Sequence, residues 1–600
     1  MANFYTDNDD IQFLFKHIDL GPVAEGTEEG FRFAQEYDSA PADTQEAIDN
    51  YNMVLNSVGQ LCGEFIAPRA EDIDRTGNTL MEDGTVIRPQ GIVEDMEKLS
   101  QADVMGFILP HRFNGLNFPN VIYSIAIEVL SRADASLMNL FGLQGIAETI
   151  NFFASEEIKQ IYLKDFASGK VTGAMVLTEP DAGSDLQACK LRAHQDDQGN
   201  WYLHGVKRFI TNGCADVLLV LARSEPDRKG GLGLSLFSCE PGPTVHIRRI
   251  EDKLGIHGSP TCEIVFSDTP CQLIGERQRG LVTYVMSLMN GARIGIAGQS
   301  LGIAEAAYRL ARDYASSRKQ FGKAIEKLPA VRDMLIDMKI DIEVGRALLY
   351  ETCRVVDMEL ISLKQLEDSS LDKGTTKSLK NQARAYKRLA GMLTPMSKYY
   401  CSEMCNAVAY DGIQVLGGSG FTRDYASERL ARDARITTIY EGTSQLQVVA
   451  AVRGVCSGTA VKYLTQMADK DYDPALKDLL DQLARGTDQM QQAIAFVKEM
   501  GNDYMDLYGS QLVDIAINLI VGYLFCDQAS TKVDMQVSLS GDQGNAAAGT
   551  VSMKERKAKV AHRFISKNAV KIASLTEEIC SGNNSTFEEY ECLVGPIVGE

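Results

Sequence analysis

The chain has 600 residues with 45% hydrophobic content, which implies several domains and ample core. Its formal charge of −21 argues against a general polyanion binder and reads mostly as solubility. No apolar run approaches a membrane span, and the first ten residues lack the basic start and apolar stretch of a secretory signal. Thirteen cysteines, an odd number scattered along the chain, fit reduced thiols in a cytoplasm. Cys401 and Cys405 stand four apart, but no histidine or second pair accompanies them, so core thiols are favoured over a metal site.

In chain order, residues 1–43 are expected to form an N-terminal arm. Over 44–171 the pattern is helical: Ile48, Tyr51, Val54, Val58, Leu61, Cys62 and Phe65 make an apolar stripe, with Asp43 and Glu46 as a capping pair at its start. Residues 122–130 and 146–153 supply further apolar faces. From 172 to 276 the segments are short and rich in Val, Ile, Leu, Phe and Thr, predicting a β domain. Within it, 216–222 reads as a buried strand, 196–200 as a hairpin loop, and 241–243 (Pro-Gly-Pro) as a break. Helical periodicity returns over 277–455, broken at 367–376, and again over 456–600. A polar, small-residue stretch at 538–552 is predicted to be a mobile loop. The fold class is therefore α+β, with a β domain between helical ones.

One run carries the most chemistry: Ile-Tyr-Glu-Gly-Thr-Ser-Gln-Leu-Gln at 439–447, centred on Glu441. Gly442 lets backbone approach a ligand, and Thr443, Ser444 and Gln445 open an apolar helix whose free N–H groups favour negative charge. Taken alone, Glu441 reads either as a capping carboxylate or as a base beside that helix start. No Gly-x-Gly-x-x-Gly follows a strand and opens a helix. Gly417, Gly418 and Gly420 fall in a helical region, so a Rossmann-type nicotinamide site is not expected.

Four segments precede that run: Met175-Val-Leu-Thr-Glu-Pro-Asp-Ala-Gly-Ser-Asp185, Lys207-Arg-Phe-Ile-Thr-Asn-Gly213, Arg318-Lys-Gln-Phe-Gly322 and Gln414-Val-Leu-Gly-Gly-Ser-Gly-Phe421. Arg432-Asp-Ala-Arg435 then leads into it. In this order they resemble the flavin-dependent acyl-CoA dehydrogenase family over about residues 45–455. The flanking segments look like the longer branch of that family, with a helical C-terminal extension. The resemblance implies an N-terminal helical domain, a middle β domain and a helical bundle, with FAD in the cleft between the β domain and the later helices. It assigns Met175, Leu177, Thr178, Gly183, Ser184, Phe209, Thr211, Thr443 and Gln445 to the cofactor. Phe209 stands where many members have tryptophan; the single tryptophan here is Trp201.

Arg318 and Gln414 resemble residues reaching the FAD of a neighbouring subunit, which implies a homodimer or larger homo-oligomer, and the resemblance also assigns Phe321, Gly417 and Gly418 to the cofactor. On its own, Arg318 reads equally as a surface charge. Pro329 replaces a glutamine of that contact. Ser184, Asn290, Arg293 and Gly442 match positions near the acyl-CoA substrate, and Asn290 falls where some members have aspartate. Some relatives carry the base just before the matching arginine; here that position is Ala292, which cannot serve, leaving Glu441. The implied reaction is α,β-dehydrogenation of an acyl-CoA thioester to the trans-2-enoyl-CoA, as in fatty acid β-oxidation. Glu441 takes the α proton, hydride goes to flavin N5, and electrons pass to electron-transfer flavoprotein. Phe141 is placed near the pocket floor, which favours short acyl chains. Two alternatives stay open: an acyl-CoA oxidase, and a DNA-binding alkylation-response relative. The latter rests on the basic run of Lys554, Arg556, Lys557 and Lys559 with Arg563, Lys567 and Lys571, which reads more simply as a solvated helix face.

Overall fold

The computed structural model describes residues 2–538 and 549–596, which divide into two compact units. The first comprises Met1–Gln12, Asp19–Ser369 and Ser397–Ser444. One of its helices is α1 (Thr44–Leu61), capped as its sequence foretells: Asp43 accepts from the Glu46 N–H at 2.9 Å, while the Glu46 carboxylate accepts from the Ala42 N–H. The helices between it and the sheet include α2 (Asn120–Ala133), α3 (Ala135–Gly142) and α4 (Ile146–Phe153). After the sheet come α5 (Met286–Ser317), α6 (Pro329–Gln365) and residues 397–416 of α7 (Lys373–Leu416).

α2 and α5 cross in backbone contact. A Cβ at Gly302 of α5 would stand 2.4 Å from the Glu128 carbonyl, so only glycine admits this approach. α6 is tied to both by Arg346, fully buried, whose guanidinium donates to Glu128 and Glu305, while the Tyr350 hydroxyl donates to Glu128 at 2.8 Å. Carboxylates from two neighbouring helices thus compensate one buried cation.

Between the helical parts lies one sheet of seven strands: β1 (Gly173–Val176), β2 (Arg192–Gln195), β3 (Trp201–Thr211), β4 (Val217–Arg223), β5 (Leu234–Cys239), β6 (Val245–Ile250) and β7 (Thr261–Ile274). Pairing runs β1-β4-β2-β3-β7-β5, and β5 also pairs with β4, so five of the strands close on themselves. β4, Val-Leu-Leu-Val-Leu-Ala-Arg, is buried along nearly its whole length, which explains its continuous rather than alternating hydrophobicity. The hairpin loop at 196–200 is built on Asp196, whose carboxylate accepts the Gln198 and Asn200 N–H groups.

The second unit comprises Phe13–Ile18, Ser370–Met396 and Gln445–Glu600. Its helices include α8 (Ser444–Cys456, from Gln445 on), α9 (Lys477–Met500), α10 (Gly509–Ala529) and α11 (Met553–Ile579). Against the expectation that no apolar run approaches a membrane span, α10 is, among the described residues, the one helix long and apolar enough to cross one. Most of it is buried by protein, which marks a core helix. The rim of the stretch expected as a mobile loop forms two paired strands, Gln536–Ser538 and Thr550–Ser552. Residues 539–548, on which the rest of that expectation falls, lie outside the described residues. On α11 the basic run meets acids: Lys554 pairs with Asp473 at 2.7 Å, Lys559 with Glu555 at 2.7 Å and Lys571 with Asp514 at 3.3 Å. Lys557 is buried.

Candidate active site

The residues of the Met175 and Lys207 segments are joined by a buried ion pair. Lys207, fully buried on β3, donates to the Leu177 carbonyl at 2.6 Å and to Glu179 at 2.9 Å. Burial alone would raise the Glu179 carboxyl, but Lys207 and the N–H groups of Lys190 and Leu191 hold it below its ordinary range. The Thr178 carbonyl accepts from the Arg208 N–H at 3.0 Å, fixing Thr178 beside the Arg208–Phe209 step. At that step the β3–β7 register slips between Lys207 and Ile210, and Phe209 takes a left-handed φ of 61°. The bulge turns the ring outward, where it is 51% exposed with Arg208 lying 4.6 Å from its centroid. The hydroxyls of Thr178 and Thr211, both half-buried, have no hydrogen-bond partner among the described residues. Gly183 and Ser184 are exposed, and Leu177 is buried.

Glu441 sits on a turn of unusual backbone. It has φ 56° and Gly442 φ 92°, two successive left-handed residues. For a glutamate that conformation costs about 1 kcal/mol, and its neighbours hold it in place. Before it, the buried Tyr440 hydroxyl donates to Gln299, which in turn donates to the Ala135 carbonyl and to Asn139, each at 2.9 Å. After it, Lys398 of α7, fully buried, donates to the Gly442 carbonyl at 2.8 Å. Burial pushes the Glu441 carboxyl up to about 7 against the opposing pull of Lys398 and Arg293. Burial likewise draws the Lys398 ammonium well below the lysine range.

The carboxyl lines a cavity of about 90 Å³, together with Met175, Thr211, Ala292 and Tyr440. That is room for roughly half a dozen water-sized groups. Arg293 lies behind it, donating to Asn290 at 3.1 Å and leaving its buried Nε without a partner among the described residues. Phe141 does not itself line the cavity; it packs against Tyr123, which does, with ring centroids 5.8 Å apart.

Arg318, Phe321, Gln414, Gly417 and Gly418 are all exposed. The Arg318 N–H bonds the Tyr314 carbonyl at 2.8 Å, and the Tyr314 hydroxyl reaches Ser419 at 3.4 Å, bringing the two distant segments together. Phe321 is 89% exposed and Phe421 84%, an unusual amount of bare aromatic surface. Thr443 is half-buried and Gln445 exposed.

Four participants escape sequence reasoning. Lys398, Tyr440 and Gln299 sit in helix-like or turn-like text with no spacing that distinguishes them. Glu148, on α4, is a second carboxyl lining the cavity, and one acid in an apolar helical face carries no mark of a site.

The comparisons give this arrangement of helices, sheet and helices its family. Family models match in sequence: acyl-CoA dehydrogenase N-terminal domain at residues 49–170, middle domain at 174–269, C-terminal domain at 279–455, and a further acyl-CoA dehydrogenase C-terminal region at 456–539. An acyl-CoA dehydrogenase of Bacillus subtilis is 32% identical over 69% of this chain and 99% of its own length. The solved butyryl-CoA dehydrogenase of Megasphaera elsdenii has 29% identity and a TM-score of 0.56, over 67% of this chain and 96% of that one. A Bacillus anthracis acyl-CoA dehydrogenase solved with FAD shares the fold over 90% of both chains, at TM-score 0.72 and 21% identity. The chain belongs to the acyl-CoA dehydrogenase family. It is an oxidoreductase acting on CH–CH bonds.

Proposed function

We propose that the enzyme binds FAD and dehydrogenates an acyl-CoA thioester at its α and β carbons, with Glu441 as the base. The observation that carries this reading is the Glu441 turn: a carboxyl on a strained backbone, clamped on both sides and raised to about 7, at the wall of a small cavity. A base poised near working pH removes an α proton best. Thr211 and Met175 border the same cavity, and Arg293 sits behind it to offset the charge of the ionised carboxyl.

The residues present suit the cofactor. Phe209 offers an exposed aromatic face turned out by the bulge, and Thr178 and Thr211 offer unengaged hydroxyls beside it. Thr443 and Gln445, Met175, Gly183 and Ser184 complete the residues that would hold it. Bound FAD would supply the acceptor for the β hydride, a capacity no side chain has. Arg318, Phe321, Gln414, Gly417 and Gly418 would meet a second copy of the chain, and the bare rings of Phe321 and Phe421 support a homo-oligomer. Electron-transfer flavoprotein would take the electrons onward, and the setting would be cytoplasmic, in keeping with thirteen free cysteines. The test is anaerobic titration of the FAD-loaded protein with acyl-CoA thioesters. Bleaching of the flavin is expected; a protein that binds no FAD, or whose flavin no thioester bleaches, defeats the reading.

A further inference from the structure

Glu148 has no part in the chemistry above, yet it lines the same cavity as Glu441. No group donates to its carboxyl among the described residues. The charge it feels, Asp357, is of its own sign. Tyr123, whose hydroxyl is likewise unengaged, lines the cavity with it, as do Asn120 and the apolar Met138, Leu143 and Ile146. Gly291 of α5 faces it: a methyl there would stand 3.9 Å from Glu148 Oε2, in ordinary contact with the carboxyl. Glu148 is raised to about 7 by burial and then by Asp357, and Glu441 to about 7 by burial against the pull of Lys398 and Arg293.

A carboxyl that receives no hydrogen bond, in a cavity walled largely by apolar side chains, is unfavourable for folding. It makes an equally poor wall for a plain alkyl tail, which would strip its water and return no hydrogen bond. It also repels an anionic tail, and the charge that acts on it among the described residues is the carboxylate of Asp357, not a cation. A donor on the ligand satisfies it.

We propose that Glu148 receives the tail of the acyl group and that the preferred thioesters carry a hydrogen-bond donor there, a hydroxyl or an ammonium, in place of a bare alkyl end or a carboxylate. This rests on the reading of the cavity as the acyl site.

The test compares isosteric thioesters on the FAD-loaded enzyme by anaerobic flavin bleaching: 4-hydroxybutyryl-CoA against pentanoyl-CoA, 5-hydroxypentanoyl-CoA and 5-aminopentanoyl-CoA against hexanoyl-CoA, and glutaryl-CoA. The wild type is expected to favour a donor-bearing tail over its alkyl isostere by about tenfold or more in kcat/KM, because a site built to accept a hydrogen bond discriminates against the analogue that lacks one. Glu148→Leu should reverse that ratio. Glu148→Gln should keep part of a hydroxyl preference and lose any ammonium preference, which tells the two donors apart. Melting of both variants should be no lower than wild type, since a residue kept for packing would lose stability on replacement. Equal or better turnover of the alkyl isosteres by wild type, an unchanged ratio in both variants, or glutaryl-CoA as the best substrate overturns the proposal while leaving the dehydrogenase reading standing. Failure of every thioester to bleach the flavin removes that reading, and this one with it.

Discussion

Replacing Glu441 with glutamine keeps size and hydrogen-bonding capacity and deletes the base. The expected loss in the rate of flavin reduction under saturating acyl-CoA is two to four orders of magnitude, about 3–5 kcal/mol of barrier. Stability should move the other way. The carboxyl rises from 4.5 to about 7 on burial, on the order of 3 kcal/mol held against its ionisation. Because the folded value is the higher, this penalty is absent below pH 4.5, grows through pH 7 and is complete above it. Glutamine escapes it. Part of the gain returns at Lys398, whose ammonium the Glu441 charge supports. The left-handed φ of 56° is the same burden for either residue. The variant should therefore melt no lower than wild type at pH 8 while binding acyl-CoA and FAD normally. A carboxylate that merely caps α8 predicts the opposite pattern: a stability loss of about 1 kcal/mol and an unchanged rate. Stopped-flow reduction and thermal melting on the same preparation decide it. Near wild-type bleaching by Glu441→Gln would refute the assignment and direct attention to Glu148, the other carboxyl in the cavity.

Three further outcomes follow from the same physics. The rate of flavin reduction should rise with pH through an inflection near 7 in the free enzyme, as Glu441 ionises, and a profile flat from pH 5 to 9 would contradict this. Lys398→Met removes the donor to the Gly442 carbonyl and the cation that most lowers Glu441, so turnover should fall by about tenfold or more and the inflection should move to higher pH. A lower rate with an unmoved inflection would reduce Lys398 to a packing role. Asp95, fully buried with neither carboxyl oxygen bonded among the described residues, is raised by burial and then by Asp134 to about 8. Its penalty therefore appears as pH climbs from about 4 to 8, and Asp95→Asn should raise the melting temperature at pH 8 by an amount that vanishes near pH 4.

The sequence by itself determined the local and repetitive parts of this protein. Period 3.6 and period 2 are written in single segments, so the helices, the β domain between them, the Asp43–Glu46 cap and the Asp196 hairpin loop were legible without tertiary information. So was the family, because its motifs are backbone-specific: the glycine after Glu441 and the polar segment opening α8 permit few local conformations. What only the tertiary structure decided is what lies opposite what. Lys207 reads as one surface lysine among many until β3 places it, buried, against Glu179, 28 residues away in a different segment. Lys398 reads as part of a polar helix until the chain returns 44 residues later to set the Gly442 carbonyl over it. The bulge that exposes Phe209 comes from its pairing with β7, about fifty residues onward, and no nearby residue announces it. Glu148 is the sharpest case. Its neighbours on α4, Ala147 and Thr149, carry no mark of a site, and its place in the cavity is set by α2, α3 and α5, elements that meet it only in the folded chain. Side-chain environment depends on contacts between segments far apart in sequence, and so do the pKa of a carboxyl and the selectivity of a pocket.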